Sequence, residues 1–159
     1  MKQKFIDAYM DTAERFAKLS SAKRLQVGAI IVKDDRIISI GYNGTPPGWD
    51  NICEEEVVDY KTAEWGQHGE LIHTGVFVTK PEVIHAEANA IAKLAKSTES
   101  GKDAIMFLTH SPCIHCAKQI FTAGINKLYY RQQYRTDDGI NFLKKCKIEV
   151  VQCQTGDII

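Results

Sequence analysis

The apolar and polar positions at the start of the chain predict a helix followed by a β-hairpin. Apolar side chains between residues 5 and 19 recur at nearly helical spacing, which leaves one helix face to bury. Apolar runs at residues 27–32 and 37–42 predict two strands, and the polar residues 33–36 between them predict a tight turn. Because so short a connection cannot form a crossover, the two strands should be antiparallel.

The stretch from residue 43 to residue 84 has no comparable pattern. It is rich in glycine, proline and tryptophan, and its one predicted element is a short helix within residues 54–65. Loops of this length are uncommon in compact domains and are usually functional. We therefore interpret residues 43–84 as a long insertion in a single domain that covers residues 1–159.

The second half of the chain alternates between helix and strand patterns. Helices are predicted at residues 85–96, 113–123 and 137–145, and strands at residues 104–108, 127–130 and 148–151. Such alternation predicts an α/β fold, in which a largely parallel sheet carries helices on its faces.

Composition and charge narrow the class of protein. Apolar residues make up 44% of the chain and charged residues 25%, as in folded globular domains. Twenty basic and twenty acidic residues cancel, which argues against a nucleic-acid partner. No apolar run approaches the roughly 20 residues that span a bilayer, so no membrane partner is expected. Five cysteines without a secretory signal favour reduced thiols, metal binding and a cytoplasmic location.

Two short motifs carry the candidate chemistry. His85 precedes Glu87 by two residues, and Pro112 precedes a Cys-x-x-Cys pair formed by Cys113 and Cys116. Two thiolates and one imidazole suit Zn²⁺, and three protein ligands leave its fourth position open for a water whose pKa falls towards about 7. Glu87 could then shuttle protons without binding the metal. A closed structural zinc site would need a fourth ligand that the motifs do not offer, and a redox pair would explain neither His85 nor Glu87.

The predicted helices also place both motifs at helix starts. His85 and Cys113 would open two neighbouring helices and point towards a shared centre. The partial positive charge of a helix N-terminus favours thiolates, and its free backbone N–H groups can hold polar atoms of a ligand.

With these motifs, the chain resembles the cytidine/deoxycytidylate deaminase superfamily, and its dCMP branch in particular. The arrangement H-x-E…P-C-x-x-C is the general signature of zinc nucleobase deaminases. The matching stretches are QVGA at 26–29, GYNGTPPG at 41–48, HAEANAI at 85–91, SPCIHCAK at 111–118 and AGI at 123–125. The resemblance implies a three-layer α/β/α cytidine-deaminase-like fold, with a mixed five-stranded sheet and helices on both faces.

The same resemblance implies an activity and a metal site. The expected reaction is hydrolytic deamination of dCMP to dUMP and ammonia, which supplies dUMP for thymidylate synthesis. His85, Cys113 and Cys116 would hold Zn²⁺, and a water activated by the zinc would attack C4 of the cytosine ring. Glu87 would move protons from that water to ring N3 and to the leaving amine.

Further roles follow from the resemblance for residues around the base and the sugar. The backbone N–H of Ala86 would meet the base carbonyl, and the backbone carbonyl of Ser111 would accept a hydrogen bond from the amino group. Asn43 would contact the sugar. These three residues are therefore candidate substrate ligands.

The substrate phosphate needs cationic or N–H donors. Lys23, Arg24 and Arg135 lie in loops that flank the site, and Arg24 is the preferred candidate because its loop precedes the first strand beside the pocket. Each of them could instead be a solvated surface charge. Tyr134 could pack on the nucleotide or simply on the protein.

The insertion contains three residues that could bind a second, structural zinc ion. Cys53, His68 and His73 are the candidates, although their spacing is irregular and no fourth ligand is obvious. The alternative is an insertion held to the body by packing of its tryptophans.

Relatives that share the GYNG segment are typically hexamers that dCTP activates and dTTP inhibits with Mg²⁺. The resemblance therefore implies a homo-oligomer with a second nucleotide site. Tyr42, Asn43 and Gly44 are candidates for that site, because glycine permits close backbone approach to a triphosphate. The same loop could instead only shape the mouth of the catalytic pocket.

Two other functions remain open from the sequence. A tRNA or other nucleic-acid deaminase would share the metal motif, although the balanced charge argues against it. A catalytically idle deaminase fold that serves as a binding module would have no need of Glu87.

Overall fold

The computed structural model describes residues 1–58, 64–65, 67–68, 71–72 and 75–153. Its elements in chain order are α1 (Gln3–Ala17), β1 (Gly28–Lys33), β2 (Arg36–Tyr42), β3 (Glu54–Val58), β4 (Glu64–Trp65), β5 (Leu71–Ile72), β6 (Gly75–Thr79), α2 (Ala86–Leu94), β7 (Ile105–His110), α3 (Ile114–Thr122), β8 (Lys127–Gln132), α4 (Asp138–Lys145) and β9 (Glu149–Gln152). None of the helices in these ranges is long and apolar enough to cross a membrane.

Five strands form the central sheet in the order β2-β1-β7-β8-β9. Strand β1 is antiparallel to β2 and β7, whereas β7, β8 and β9 are parallel. The β1–β2 hairpin turns at Asp34 and Asp35, which both have positive φ, as a two-residue turn of this hand requires. The sheet is therefore mixed, as the family resemblance implies, and not largely parallel as the alternation alone suggests.

Helices cover both faces of the sheet, which confirms the predicted fold class. On one face, α1 packs Ile6, Met10 and Ala13 against a cluster that includes Phe107 and Tyr129. On the other face, α2, α3 and α4 share a larger buried cluster with the alternate residues of the same strands. The helices that open with the metal motifs thus lie on one side of the sheet.

Close packing against β2 positions α2. A Cβ atom added to Gly41 would lie 2.2 Å from the carbonyl oxygen of Ala86, so only glycine allows this approach. Ser39 Oγ also donates a hydrogen bond to the carbonyl oxygen of Ala90, at 2.7 Å. These contacts hold the start of α2, and with it His85, at the edge of the core.

The helix predicted within residues 54–65 is wrong. Residues Glu54–Val58 form β3, which pairs antiparallel with β6, and Glu64–Trp65 forms β4, which pairs with β5. The glutamates favour a helix locally, but Val57 lies directly opposite Val76 in the ladder. Pairing with a distant β-branched segment overrode the local propensity.

Candidate active site

The starts of α2 and α3 bring the three predicted metal ligands together. The potential ligand atoms of His85, Cys113 and Cys116 all lie within 4.8 Å of one another. His85 Nδ1 is 3.7 Å from Cys113 Sγ and 3.5 Å from Cys116 Sγ. Tetrahedral zinc, with Zn–S near 2.3 Å and Zn–N near 2.0 Å, needs edges of about 3.6 Å. The donor set therefore fits Zn²⁺ through Nδ1 of the histidine.

Electrostatics at the two thiols favour metal binding. The pKa of Cys113 falls to about 3, chiefly because the Cys116 thiol donates a hydrogen bond to it and also because His85 stabilises its thiolate. The pKa of Cys116 is raised because its thiol is that donor. One thiolate is thus already formed, and a cation at the cluster would favour loss of the second proton.

Glu87 lies in the first turn of α2 and lines the same cavity as His85. Only 4% of its surface is exposed. Burial raises the pKa of its carboxyl, although its own backbone N–H and the nearby His85 act in the opposite direction. A carboxyl whose pKa is raised by burial holds a proton more strongly than a solvent-exposed one and can pass that proton to a neighbour.

The cavity beside the ligand cluster brings together most of the predicted site residues. Its lining comprises Leu25, Val27, Asn43, Thr79, Val83, His85, Ala86, Glu87, His110, Ser111, Cys113 and Tyr134. Arg24 is absent from this lining. It is exposed and lies in a neighbouring groove with Lys18, Lys23 and Gln132, and His110 belongs to both depressions.

Asn43, Ser111 and Tyr134 are held in the cavity wall by hydrogen bonds. The Asn43 amide accepts from the N–H of Val27 at 2.8 Å and donates to the carbonyl of Leu25 at 2.9 Å. Ser111 Oγ accepts from the N–H of Tyr134 at 2.7 Å. Asn43 therefore braces the loop before β1, and its predicted contact with the sugar would use the remaining hydrogen-bonding capacity of its amide.

The sequence interpretation missed a residue that borders the cavity, His110. Its Nδ1 lies 3.1 Å from Thr109 Oγ1, which accepts a hydrogen bond from the N–H of Gly28. Burial lowers the pKa of His110, although Gln132 and Glu14 act in the opposite direction. Its place directly before the Ser-Pro-Cys motif was the signal available in the sequence.

The candidates for a second zinc site are not brought together in the described part of the chain. Cys53 is buried, with its Sγ 3.3 Å from Ser21 Oγ, and His68 is exposed. His73 lies outside the described residues. The only cluster of three potential ligands within the described ranges is the one at His85. The second site stays a prediction.

The candidate effector residues lie at the end of β2 and just beyond it. Tyr42 is half-buried, and its carbonyl accepts a hydrogen bond from Asn89 Nδ2 at 2.9 Å. Gly44 exchanges backbone hydrogen bonds with Ile84, directly before His85. This segment is therefore adjacent to the metal cluster, and its role towards a triphosphate stays a prediction.

Comparisons with known proteins agree with this geometry. A family model of the cytidine and deoxycytidylate deaminase zinc-binding region matches residues 3–132. ComE operon protein 2 of Bacillus subtilis is 35% identical over 130 residues, which are 80% of this chain and 59% of the relative. Deoxycytidylate deaminase of enterobacteria phage T4 is 35% identical over 136 residues, which cover 69% of this chain and 68% of the phage protein.

A solved structure matches nearly the whole chain. The dCMP deaminase of cyanophage S-TIM5, in complex with dCMP and dUMP, is 43% identical with a TM-score of 0.81. The match covers 96% of this chain and 99% of the cyanophage chain. Since the family model covers most of the sequence and the predicted zinc ligands converge in the structure, the chain belongs to the cytidine and deoxycytidylate deaminase family.

Proposed function

We propose that this protein hydrolyses dCMP to dUMP and ammonia. The observation that carries the proposal is the convergence of His85, Cys113 and Cys116 beside the buried Glu87, in one cavity of the fold. The cyanophage relative, whose structure contains dCMP and dUMP, supports this choice of substrate.

The chain's own groups account for binding and proton transfer. Zinc bound to the three ligands would lower the pKa of a water molecule and so supply a nucleophile at neutral pH. Glu87 takes a proton from the attacking water, delivers it to ring N3 of cytosine, and then helps protonate the leaving amine. The raised pKa of its buried carboxyl suits this exchange, because the group must hold the proton between steps.

Backbone groups at the cavity orient the base. The N–H of Ala86 lies in the first turn of α2, where helix geometry leaves it without an intrahelical acceptor. It donates to the carbonyl oxygen of the base, while the carbonyl of Ser111 accepts from the amino group. Both residues are buried and line the cavity, so they can impose one orientation on the ring.

The phosphate is assigned to the groove beside the cavity. Arg24 lies there, and His110 forms part of the wall shared by the two depressions. Tyr134 lines the cavity, and Cζ of Arg135 lies 5.9 Å from the centroid of its ring. This pair is the alternative cationic site for the phosphate. A monophosphate is therefore the preferred substrate.

Ammonia release from dCMP, deoxycytidine, CMP and cytidine, measured side by side, tests the proposal. We expect the highest kcat/KM for dCMP, and a kcat lower by roughly 10²–10⁴-fold for Glu87→Gln protein that has kept its zinc. An absence of ammonia from all four substrates would reject the activity. Turnover of tRNA adenosine instead would favour the nucleic-acid deaminase considered above.

Regulation and assembly form a further part of the proposal. The protein is a hexamer in the cytoplasm that supplies dUMP for thymidylate synthesis, with dCTP as activator and dTTP with Mg²⁺ as inhibitor at the segment around Tyr42, Asn43 and Gly44. Effector binding there would bias the start of α2 through the Gly44–Ile84 bridge. Sedimentation and dCMP saturation curves with each triphosphate test this. A monomer with hyperbolic kinetics that ignores both nucleotides would reject it.

A further inference from the structure

The loop between α1 and β1 forms one wall of the candidate active site. Leu25 and Val27 line the cavity, and Arg24 lies in the neighbouring groove. Residues 19–27 are outside regular secondary structure, so their backbone groups need partners elsewhere. The position of this wall therefore depends on which side chains supply those partners.

Glu54, the first residue of β3, supplies two of them. Its Oε1 accepts hydrogen bonds from the N–H groups of Lys23 at 3.0 Å and Arg24 at 3.1 Å. Only 7% of Glu54 is exposed. Its partner across the β3–β6 ladder is Thr79, which itself lines the cavity. A single carboxylate oxygen thus links the insertion to the loop that carries Arg24.

Packing next to Glu54 strengthens the same link. A small buried apolar cluster consists of Ala22, Cys53 and Val83. The residue before Lys23 thus packs with the residue before Glu54. Ser21 Oγ lies 3.3 Å from Cys53 Sγ. The loop is held from the insertion side by these contacts.

Asn43 holds the next residues of the same loop, through the N–H of Val27 and the carbonyl of Leu25. Two buried polar side chains therefore hydrogen-bond to adjacent parts of the loop. Glu54 binds residues 23–24, and Asn43 binds residues 25 and 27. Asn43 directly follows β2 of the central sheet, whereas Glu54 begins β3 of the separate two-stranded sheet. Loss of Glu54 would release the stretch with Lys23 and Arg24 while Asn43 still braces the cavity wall.

We propose that Glu54 is a positioning residue for substrate selection, which holds the backbone of Lys23 and Arg24 so that the Arg24 side chain faces the phosphate end of a nucleoside monophosphate. The proposal rests on the proposed function. Glu54 acts through the loop and touches neither the metal cluster nor the reacting atoms. Its loss should therefore weaken discrimination between a monophosphate and the free nucleoside more than it slows the chemical step.

The test compares Glu54→Ala with Glu54→Gln, whose amide oxygen can still accept both N–H groups, and with Glu55→Ala at the exposed neighbour. We expect Glu54→Ala to raise KM for dCMP about tenfold, because two partly buried backbone N–H donors lose their acceptor. KM for deoxycytidine, kcat and zinc content should stay close to the wild-type values. The Gln variant should restore the dCMP value, and Glu55→Ala should match wild type.

A second readout separates this proposal from the proposed function. Amide hydrogen exchange at Lys23 and Arg24, followed by NMR, should be slow in wild type and Glu54→Gln and fast in Glu54→Ala. If wild type does not deaminate dCMP, the proposed function fails and exchange alone decides whether Glu54 holds the loop.

Three results would overturn the role of Glu54. These are unchanged exchange in Glu54→Ala, an unchanged dCMP KM in that variant, or equal KM increases for dCMP and deoxycytidine. Should Glu54→Ala not fold, Glu54→Asp takes its place, because the side chain shortened by one methylene cannot reach both donors. Its dCMP KM should then exceed that of Glu54→Gln, and a wild-type value would overturn the proposal.

Discussion

The two sides of the cavity differ in how much buried structure supports them. The metal ligands lie at the starts of α2 and α3, which pack on a five-stranded sheet through a core of buried side chains. The insertion contributes Thr79, the last residue of the two-stranded β3–β6 ribbon, and Val83, which follows that ribbon, to the cavity. Val76 and Phe77 of that ribbon are 41% and 49% exposed. The reacting groups thus lie on the side of the cavity with more buried structure. The groups expected to tune substrate choice depend on the side with less.

The largest effect is expected at the metal cluster. Cys116→Ala should lose zinc and all measurable turnover together, because two remaining ligands cannot hold the ion in a tetrahedral site. Cys146→Ala, at a half-buried cysteine outside the cluster, serves as control and should keep both properties. Metal analysis of the purified variants checks this, and a zinc-loaded Cys116→Ala protein would contradict the ligand assignment.

Removal of the proton shuttle should be the next largest effect. Glu87→Ala is expected to keep its zinc and to lose roughly 10²–10⁴-fold in kcat, since proton transfer is removed while the ligands survive. Steady-state kinetics and metal content, measured on the same preparation, decide whether Glu87 transfers protons or supports metal binding. A zinc-free variant would show instead that Glu87 supports metal binding.

Stability should differ between the core and the ribbon. Phe107 is fully buried, and its ring is stacked on that of Tyr129 with the centroids 5.0 Å apart. Phe107→Ala should therefore lower the free energy of unfolding by about 3–5 kcal/mol. Phe77→Ala in the ribbon should cost less than about 1 kcal/mol. Denaturant titrations of both variants provide the comparison. A large loss of unfolding free energy at Phe77 would contradict the difference between the core and the ribbon.

A smaller effect is expected at the phosphate end. Arg24→Ala should raise KM for dCMP about tenfold and leave deoxycytidine nearly unchanged, since one charge-assisted contact is lost. Arg36→Ala is the matched control, because this arginine is mainly exposed, pairs with Glu99 and lines neither the cavity nor the neighbouring groove. Equal effects of Arg24→Ala on both substrates would place the phosphate elsewhere.

The smallest predicted effect concerns His110 and pH. Burial lowers the pKa of His110 in the folded protein below its unfolded value of 6.5. Its contribution to the free energy of unfolding is therefore fully present above pH 6.5, and it is lost as the pH falls from 6.5 through the folded pKa. His110→Phe should therefore flatten the decline of stability between pH 6.5 and more acidic conditions. Denaturation midpoints of zinc-loaded protein across this range are the measurement.

Local sequence patterns determined the chemistry and most of the elements. The spacings within the His85–Glu87 pair and within the Cys113–Cys116 pair are local, so the sequence was enough to predict the ligands. Their convergence required α2 and α3 to pack side by side on the sheet. The helix and strand periodicities likewise identified every element of the central fold, with bounds within a few residues of those observed.

Only the tertiary structure decided the parts that depend on distant partners. The pairing of β3 with β6 overrode the helical propensity of its glutamates, and the carboxylate of Glu54 found its donors about thirty residues away along the chain. The order β2-β1-β7 likewise made half of the sheet antiparallel. Such contacts join segments with no local signal for each other, because their free energy comes from burial and hydrogen bonds that exist only once the chain has folded.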